Sequence, residues 1–200
     1  MTKTINFCYT ENEIKNKKGK KAMTYKNVYI LMTQYPGFDA KILRWRTRFP
    51  YTHTSIGFEE DMDTFYTFVS KGFFVESITR YEKPDRPSFP CALFEVKVSE
   101  NIYNKLKEEV LHYKEHKGDF KYSTLGLVLC FLKIPYKRKN KYFCSQFVAE
   151  VLHRCEAIKL KKKSSLYFPK DFLKHKELKL VFQGNHLGFV EKYVMKKSSP

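Results

Sequence analysis

The sequence predicts an α+β domain in which a small antiparallel sheet packs against helices. Two observations support this class. Short apolar or alternating runs, typical of strands, dominate residues 27–98, and an acidic run at 59–63 joins two of them as a hairpin loop. Helical periodicity dominates residues 101–154. A chain of 200 residues suits one domain, so we expect residues 1–200 to form a single unit.

The strands are predicted from β-branched and aromatic runs bounded by turn residues. They cover 27–33, 54–58, 64–69 and 92–98, with a last short strand at 181–182. The intervening segments predict a short basic helix at 37–48 and a Pro-rich connection at 84–90. We expect the polar, Lys-rich segment 10–26 and the segment 195–200 to be mobile.

The helices are predicted from apolar residues that recur at intervals of three and four. Ser99 is the predicted N-cap of a helix over 101–117, whose inward side carries Ile102, Leu106, Val110 and Tyr113. A second helix is predicted over 123–132, and a third begins near Cys144.

The composition indicates which class of binding partner and which cellular compartment to expect. The chain holds 38 Lys and Arg residues against 21 Asp and Glu, a net charge of +17, which favours an anionic surface as partner. No nucleic-acid fold signature accompanies the basic runs, so we expect no specific nucleic-acid partner. Five cysteines without a regular framework favour a reducing compartment, and we predict a cytoplasmic protein. The longest apolar run, 125–132, is too short to span a bilayer.

Cys144 stands at the predicted start of a helix. Backbone N–H groups and partial positive charge at a helix N-terminus favour a thiolate, which is the nucleophilic form of cysteine. At about 100° per residue, Cys144 shares one face with apolar residues that would pack onto the sheet: Phe147, Val148, Val151, Leu152 and Cys155. A buried cysteine on such a face can equally serve as a small hydrophobe.

Histidines supply the possible partners of this thiol. His53 stands at the head of a predicted strand, a rigid position that suits a base, although a local hydrogen-bonding role is the alternative. His112 and His116 match the H-x-x-E-H pattern of some zinc peptidases. They lie away from the apolar side of their helix, among charged residues, so we predict neither a metal site nor a cofactor.

Several segments together resemble a known family. They are Thr52-His-Thr-Ser-Ile-Gly-Phe58, Phe65-Tyr-Thr-Phe68, Gly72-Phe-Phe-Val-Glu76, Phe143-Cys-Ser-Gln-Phe-Val-Ala149 and Ser165-Leu-Tyr-Phe-Pro-Lys-Asp-Phe172. In this order they resemble the circularly permuted NlpC/P60 superfamily, in particular the YiiX/YaeF-like cysteine hydrolases. The resemblance covers roughly residues 27–183. It implies a papain-like fold in which the strand that carries the histidine precedes the helix that carries the cysteine.

The resemblance also implies site residues. Cys144 would be the nucleophile and His53 the general base. The third polar residue, which orients the imidazole, would be Thr67, with Glu76 as the alternative. Backbone N–H groups at the helix start would form the oxyanion hole, and the surrounding pocket would include Tyr51, Ser145 and Gln146.

The implied reaction is acyl transfer from an amide or ester through a thioester on the cysteine. The substrate would be of lipid or cell-wall origin. Two alternatives stay open: a thiol acyltransferase acting on lipid chains, and a basic binding module with a vestigial site. Thr67 favours the binding module with a vestigial site, because a hydroxyl orients an imidazole more weakly than a carboxylate does.

Overall fold

The computed structural model describes residues 24–34, 44–45, 47–81 and 88–195. The predicted mobile segments therefore lie outside the described residues, except for residues 24–26 and 195. Most of the predicted basic helix at 37–48 and of the connection at 84–90 lies outside them as well, although residues 44, 45 and 47 are helical.

A six-stranded antiparallel sheet forms the centre of the molecule. Its strands are ordered β4-β3-β2-β1-β5-β8 across the sheet, so that the chain begins in the middle and builds toward both edges. The strands are β1 (Tyr25–Thr33), β2 (His53–Phe58), β3 (Asp61–Val69), β4 (Gly72–Ser77), β5 (Pro90–Ser99) and β8 (Leu178–Asn185). This confirms the α+β class with an antiparallel sheet packed against helices.

Within residues 88–195, four α-helices accompany the sheet: α1 (Glu100–Glu115), α2 (Thr124–Phe131), α3 (Cys144–Arg154) and α4 (His186–Tyr193). Helices α1 and α3 belong to one apolar cluster with the sheet residues Ile30 and Ile56. Helix α4 packs into a second cluster with Leu31 and Phe65. Because successive side chains of a strand point to opposite faces, Ile30 and Leu31 assign these two clusters to the two faces of the sheet.

A two-residue parallel ladder joins the starts of α2 and α3. Strand β6 (Lys121–Tyr122) immediately precedes α2, and strand β7 (Lys141–Tyr142) immediately precedes α3. The N–H of Ser123 also donates to the carbonyl of Tyr142 at 3.0 Å. Gly126 completes the junction, because a side chain there would lie 2.4 Å from Ser123 Oγ and 3.8 Å from the ring of Phe143. The first turns of the two helices are therefore held side by side.

The structure confirms most predicted elements and changes some boundaries. Strand β1 begins at Tyr25, inside the segment predicted to be a mobile arm. The turn between β2 and β3 is only Glu59–Glu60, shorter than the predicted loop, because β3 already begins at Asp61. Tyr103 is buried on α1, whereas Ile102 is only partly buried. Ser99 holds the N-cap position, but its side chain makes no capping hydrogen bond.

Candidate active site

Helix α3 begins at Cys144, and the backbone N–H groups of its first turn are not capped by a side chain. Phe143 is the N-cap residue, no side chain caps the helix, and the first intrahelical bond runs from the N–H of Phe147 to the carbonyl of Phe143 at 3.0 Å. The N–H groups of Cys144, Ser145 and Gln146 therefore have no partner within the helix. They lie beside the sulfur, where an oxyanion would form during acyl transfer.

The buried face of α3 fixes the direction of the thiol. Phe147, Val148, Val151 and Leu152 are fully buried, and α3 packs against β2 and β3. Cys144 itself is 7 % exposed, so its thiol is largely enclosed but not sealed from solvent. The structure confirms the predicted helix start and the predicted apolar face.

His53 is the first residue of β2 and is buried. Its backbone pairs with Thr33 of β1. Nε2 of His53 lies 2.9 Å from Oε1 of Glu76, whose carboxyl group is also buried. Glu76 belongs to β4, so its carboxylate reaches the imidazole across the intervening strand β3. A carboxylate held in this way fixes the tautomer of the imidazole and favours its charged form.

The thiol of Cys144 is the second partner of His53. The charge and hydrogen-bonding capacity of the thiol both raise the pKa of His53, and because Nε2 is engaged by Glu76, Nδ1 is the nitrogen available to the sulfur. Burial alone would lower the pKa of His53, but the charge of Glu76 and the hydrogen bonds to Cys144 and Glu76 outweigh it. The pKa of His53 is therefore raised well above its ordinary value of 6.5, which favours the charged imidazolium over the neutral ring.

The prediction that Thr67 orients His53 is wrong. The Thr67 hydroxyl donates to the backbone carbonyl of Thr54 at 2.8 Å, which ties β3 to β2, and Glu76 takes the place beside the imidazole. The prediction counted residues across a five-residue loop, whereas the turn has two residues. In addition, the pairing of β2 with β3 shifts register between Gly57 and Phe58. Glu76 was the alternative orienting residue in the sequence analysis, and it belongs to one of the segments that resemble the family.

Gly57 supports the geometry beneath the pair. Phe65 of β3 pairs with Gly57 on one side and with Glu76 on the other. A side chain at position 57 would lie 2.6 Å from Cε1 of Phe65, so the absence of one lets the ring lie flat over β2. The buried ring therefore helps to set the position of the strand that carries Glu76.

The three predicted pocket residues have different surroundings. The Ser145 hydroxyl donates to the carbonyl of Tyr167 at 2.6 Å, so it anchors α3. The side chain of Gln146 is buried, and neither its oxygen nor its nitrogen has a hydrogen-bond partner. It leaves the helix about 200° around from Cys144, so only its backbone N–H is placed for an oxyanion. Tyr51 is buried, and its burial raises the pKa of its hydroxyl.

The other described cysteines are free and buried. Burial raises the pKa of Cys91 to about 12 and that of Cys130 to about 12, and it raises the pKa of Cys155 to about 11. Thiols with such values stay protonated at neutral pH and are poor nucleophiles. Cys8 lies outside the described residues.

His112 and His116 stand together on the exposed side of α1. Their rings lie 4.5 Å apart, and Nδ1 of His116 lies 3.0 Å from the carbonyl of His112. Within the part of the chain that the structure describes, no group of three or more His, Cys, Asp or Glu side chains is arranged to hold a metal ion. In the same part, no helix is both long enough and apolar enough to cross a membrane.

Comparison with known proteins gives no name to this site. The sequence matches no family model, and no curated protein matches it either.

Proposed function

We propose that the protein is a cysteine hydrolase that cleaves an amide or ester through a thioester on Cys144. One observation carries the proposal: buried His53 contacts the Glu76 carboxylate at 2.9 Å and is near enough to the Cys144 thiol for the thiol to raise its pKa. A nucleophile, a base and a group that orients the base form the arrangement of thiol and serine acyl-transfer enzymes. Glu76 also removes the reason to favour a vestigial site, because a carboxylate is a strong orienting partner.

The same arrangement supports membership in the permuted NlpC/P60 superfamily. His53 on an antiparallel sheet precedes Cys144 at the start of a packed helix, in the order that the resemblance implies. Under this proposal the fold is papain-like and circularly permuted. The free described thiols fit a reducing compartment, so a cytoplasmic location is part of the proposal.

The reaction follows from the positions of these groups. Cys144 and His53 react as a thiolate and an imidazolium that carries the proton on Nδ1, and the thiolate attacks the substrate carbonyl carbon while backbone N–H groups of the first turn of α3 bind the oxyanion. The imidazolium then gives its proton to the leaving amine or alcohol, and a thioester remains. Water, deprotonated by His53, attacks the thioester and releases the acid and the thiol. Glu76 stabilises the imidazolium in both halves.

Burst kinetics with p-nitrophenyl esters would test the proposal. We expect a rapid release of p-nitrophenolate equal to the enzyme concentration, followed by slower turnover, and an acyl group on Cys144 in mass spectra of the quenched enzyme. Cys144→Ala should abolish the burst. Cys155→Ala is the matched control, since it removes a buried thiol just beyond the end of the same helix.

Two outcomes would count against the proposal, and one would refine it. An equal burst in Cys144→Ala, or no acylation of Cys144 by any ester or amide tested, would refute it. Transfer of the acyl group to an added amine or alcohol in preference to water would instead identify the acyltransferase alternative.

A further inference from the structure

Helix α2 exposes an apolar face. Among the described residues, 12 large apolar side chains are exposed, and four of them fall within ten residues of each other: Leu125 at 54 %, Val128 at 50 %, Leu132 at 63 % and Ile134 at 49 %. Only Gly126 and Cys130 of the helix are buried. A surface helix normally turns polar residues outward, and a contiguous apolar patch marks an interaction surface.

The end of α2 holds this patch in shape. Lys133 has a φ of +60°, its N–H donates to the carbonyl of Cys130, and the N–H of Ile134 donates to the carbonyl of Leu129 at 2.9 Å. These two bonds form a Schellman motif, which folds the chain back onto the last turn. Ile134 therefore stays beside Leu132. The patch is a fixed surface of Leu125, Val128, Leu132 and Ile134, which we call the α2 patch.

Lysines border the patch on one side. A cavity of about 430 Å³ lies between α2 and the segment 162–174, and Cys130 and Lys133 of the α2 end line it together with Lys162, Lys170 and Lys174. Asp171 is the single acidic residue of that lining. Asp171 forms ion pairs with Lys162 at 2.6 Å and Lys174 at 2.8 Å, so the positive charge of this border comes mainly from Lys133 and Lys170, in keeping with the net charge of +17.

Trp45 adds an interfacial aromatic near the same border. It is the only tryptophan of the chain and is 80 % exposed. Thr47, two residues further on, lines the cavity, and its carbonyl accepts a hydrogen bond from Lys170 at 3.2 Å. Tryptophan side chains favour the boundary between water and lipid, because the ring is apolar and the indole N–H is polar.

We propose that the α2 patch docks onto an anionic lipid bilayer surface. Leucine, valine and isoleucine side chains would enter the boundary between headgroups and acyl chains, and the lysines beside them would contact lipid phosphates and carboxylates. An acidic protein partner would use the charge, but it gives no reason for an exposed aliphatic face beside it. The proposal does not depend on the chemistry of Cys144.

Docking would bring the candidate active site close to the membrane. Gly126 of α2 packs against Phe143, the residue before Cys144, and the β6–β7 ladder ties the two helix starts together. The thiol would therefore lie close to the lipid surface, because α3 begins beside the start of α2.

Vesicle binding by the full chain tests this proposal. The probes are vesicles of phosphatidylcholine alone and vesicles with about one third phosphatidylserine, and the signals are co-flotation and the emission of Trp45. We expect binding to the anionic vesicles with a blue shift of Trp45 emission, quenching by brominated acyl chains, and loss of binding at high salt.

Variants test whether vesicle binding depends on the α2 patch or only on nonspecific attraction. Leu125→Ser/Val128→Ser/Leu132→Ser should lower the vesicle affinity at least tenfold. Leu180→Ser/Leu187→Ser/Met195→Ser is the control, because these side chains are similarly exposed but belong to β8, α4 and the segment that follows α4. Lys133→Glu/Lys170→Glu should weaken binding more than Lys97→Glu/Lys179→Glu, which changes the net charge equally on β5 and β8. Thermal unfolding of each variant verifies that it folds.

Three outcomes would overturn the proposal. The first is no binding of the folded full chain to anionic vesicles. The second is an equal loss of binding in the patch and control variants. The third is a dimer in analytical ultracentrifugation that the patch variant alone dissociates, with no vesicle binding, which would make a second copy of the chain the occupant.

Discussion

Among the described residues, two sites that combine histidine with glutamate differ in burial. His53 and Glu76 come from two strands, are both buried, and contact each other at 2.9 Å. His112 and His116 come from one helix, with Glu115 between them in sequence, and all three are exposed. The second place has the more recognisable sequence pattern, whereas the first raises the pKa of its histidine, His53.

The difference shows what makes a titratable group useful. On an exposed helix face, water and salt screen the charges, and the side chains keep their freedom. Between strands, His53 is fixed by its backbone pairing and has one carboxylate and one thiol within reach. Spacing in the sequence suggests which titratable side chains could interact, whereas burial and fixed geometry determine their chemistry.

The largest expected effect comes from the histidines themselves. His53→Asn should lower the rate of ester hydrolysis by at least about 10³-fold, because it removes the base and the acid of both half-reactions. His112→Asn should leave the rate within about twofold, since an exposed side chain away from the thiol is removed. Single-turnover acylation measures both. Comparable losses of rate in the two variants would contradict the different roles assigned to the buried and the exposed histidine.

Removing the charge of the orienting residue should have a smaller effect. Glu76→Gln should lower kcat by about tenfold to a hundredfold, because an amide holds the imidazole but adds no charge to stabilise the imidazolium. Since Glu76 raises the pKa of His53, the alkaline limb of the pH–rate profile should move to lower pH in this variant. Glu115→Gln is the control and should move neither quantity.

The same pair should make stability depend on pH. The pKa of His53 is raised in the folded protein, so the stabilisation from its charged form is complete below 6.5 and is lost as the pH rises through the folded value. The difference in unfolding free energy between wild type and Glu76→Gln should be about 1–3 kcal/mol near neutral pH and should shrink as the pH rises through the folded pKa of His53. Denaturant titrations across this range would measure it. A difference that grows with pH contradicts the assignment.

The smallest effect is expected at Thr67. Thr67→Val keeps the shape of the side chain but leaves the carbonyl of Thr54 without its hydroxyl donor, which should cost about 1–2 kcal/mol of stability. Hydrolysis at temperatures where the variant is folded should change less than about threefold. If the rate falls as far as in Glu76→Gln while stability is unchanged, Thr67 acts on His53 after all.

The sequence was informative where periodicity was strong. The start of α3 at Cys144 and its apolar face followed from helix geometry, and the main strands followed from their β-branched and aromatic runs. Pairing across strands was less predictable, because the shift between Gly57 and Phe58 depends on how side chains pack in three dimensions. Counting along the hairpin therefore selected Thr67 and not Glu76.

Other features had weak or ambiguous local signals. Strand β4 is too short for a clear alternating pattern, although its residues appeared in the family resemblance. Helix α4 has only eight residues, and its burial depends on Phe189 and Val190 meeting the far face of the sheet. The ladder between β6 and β7 has two residues on each side and no sequence pattern of its own.

The order of the three candidate groups along the chain bears on how the protein acquires its reactivity during folding. His53 and Glu76 are 23 residues apart and are joined by two consecutive hairpins, so their contact closes short loops. Cys144 lies far beyond them in sequence, and its contact with His53 closes a much longer loop at a greater entropic cost. The sheet should therefore form before the thiol becomes activated. In a refolding experiment, pulse alkylation of Cys144 would rise later than strand protection from hydrogen exchange, and the thiol would serve as a clock for the last step of assembly.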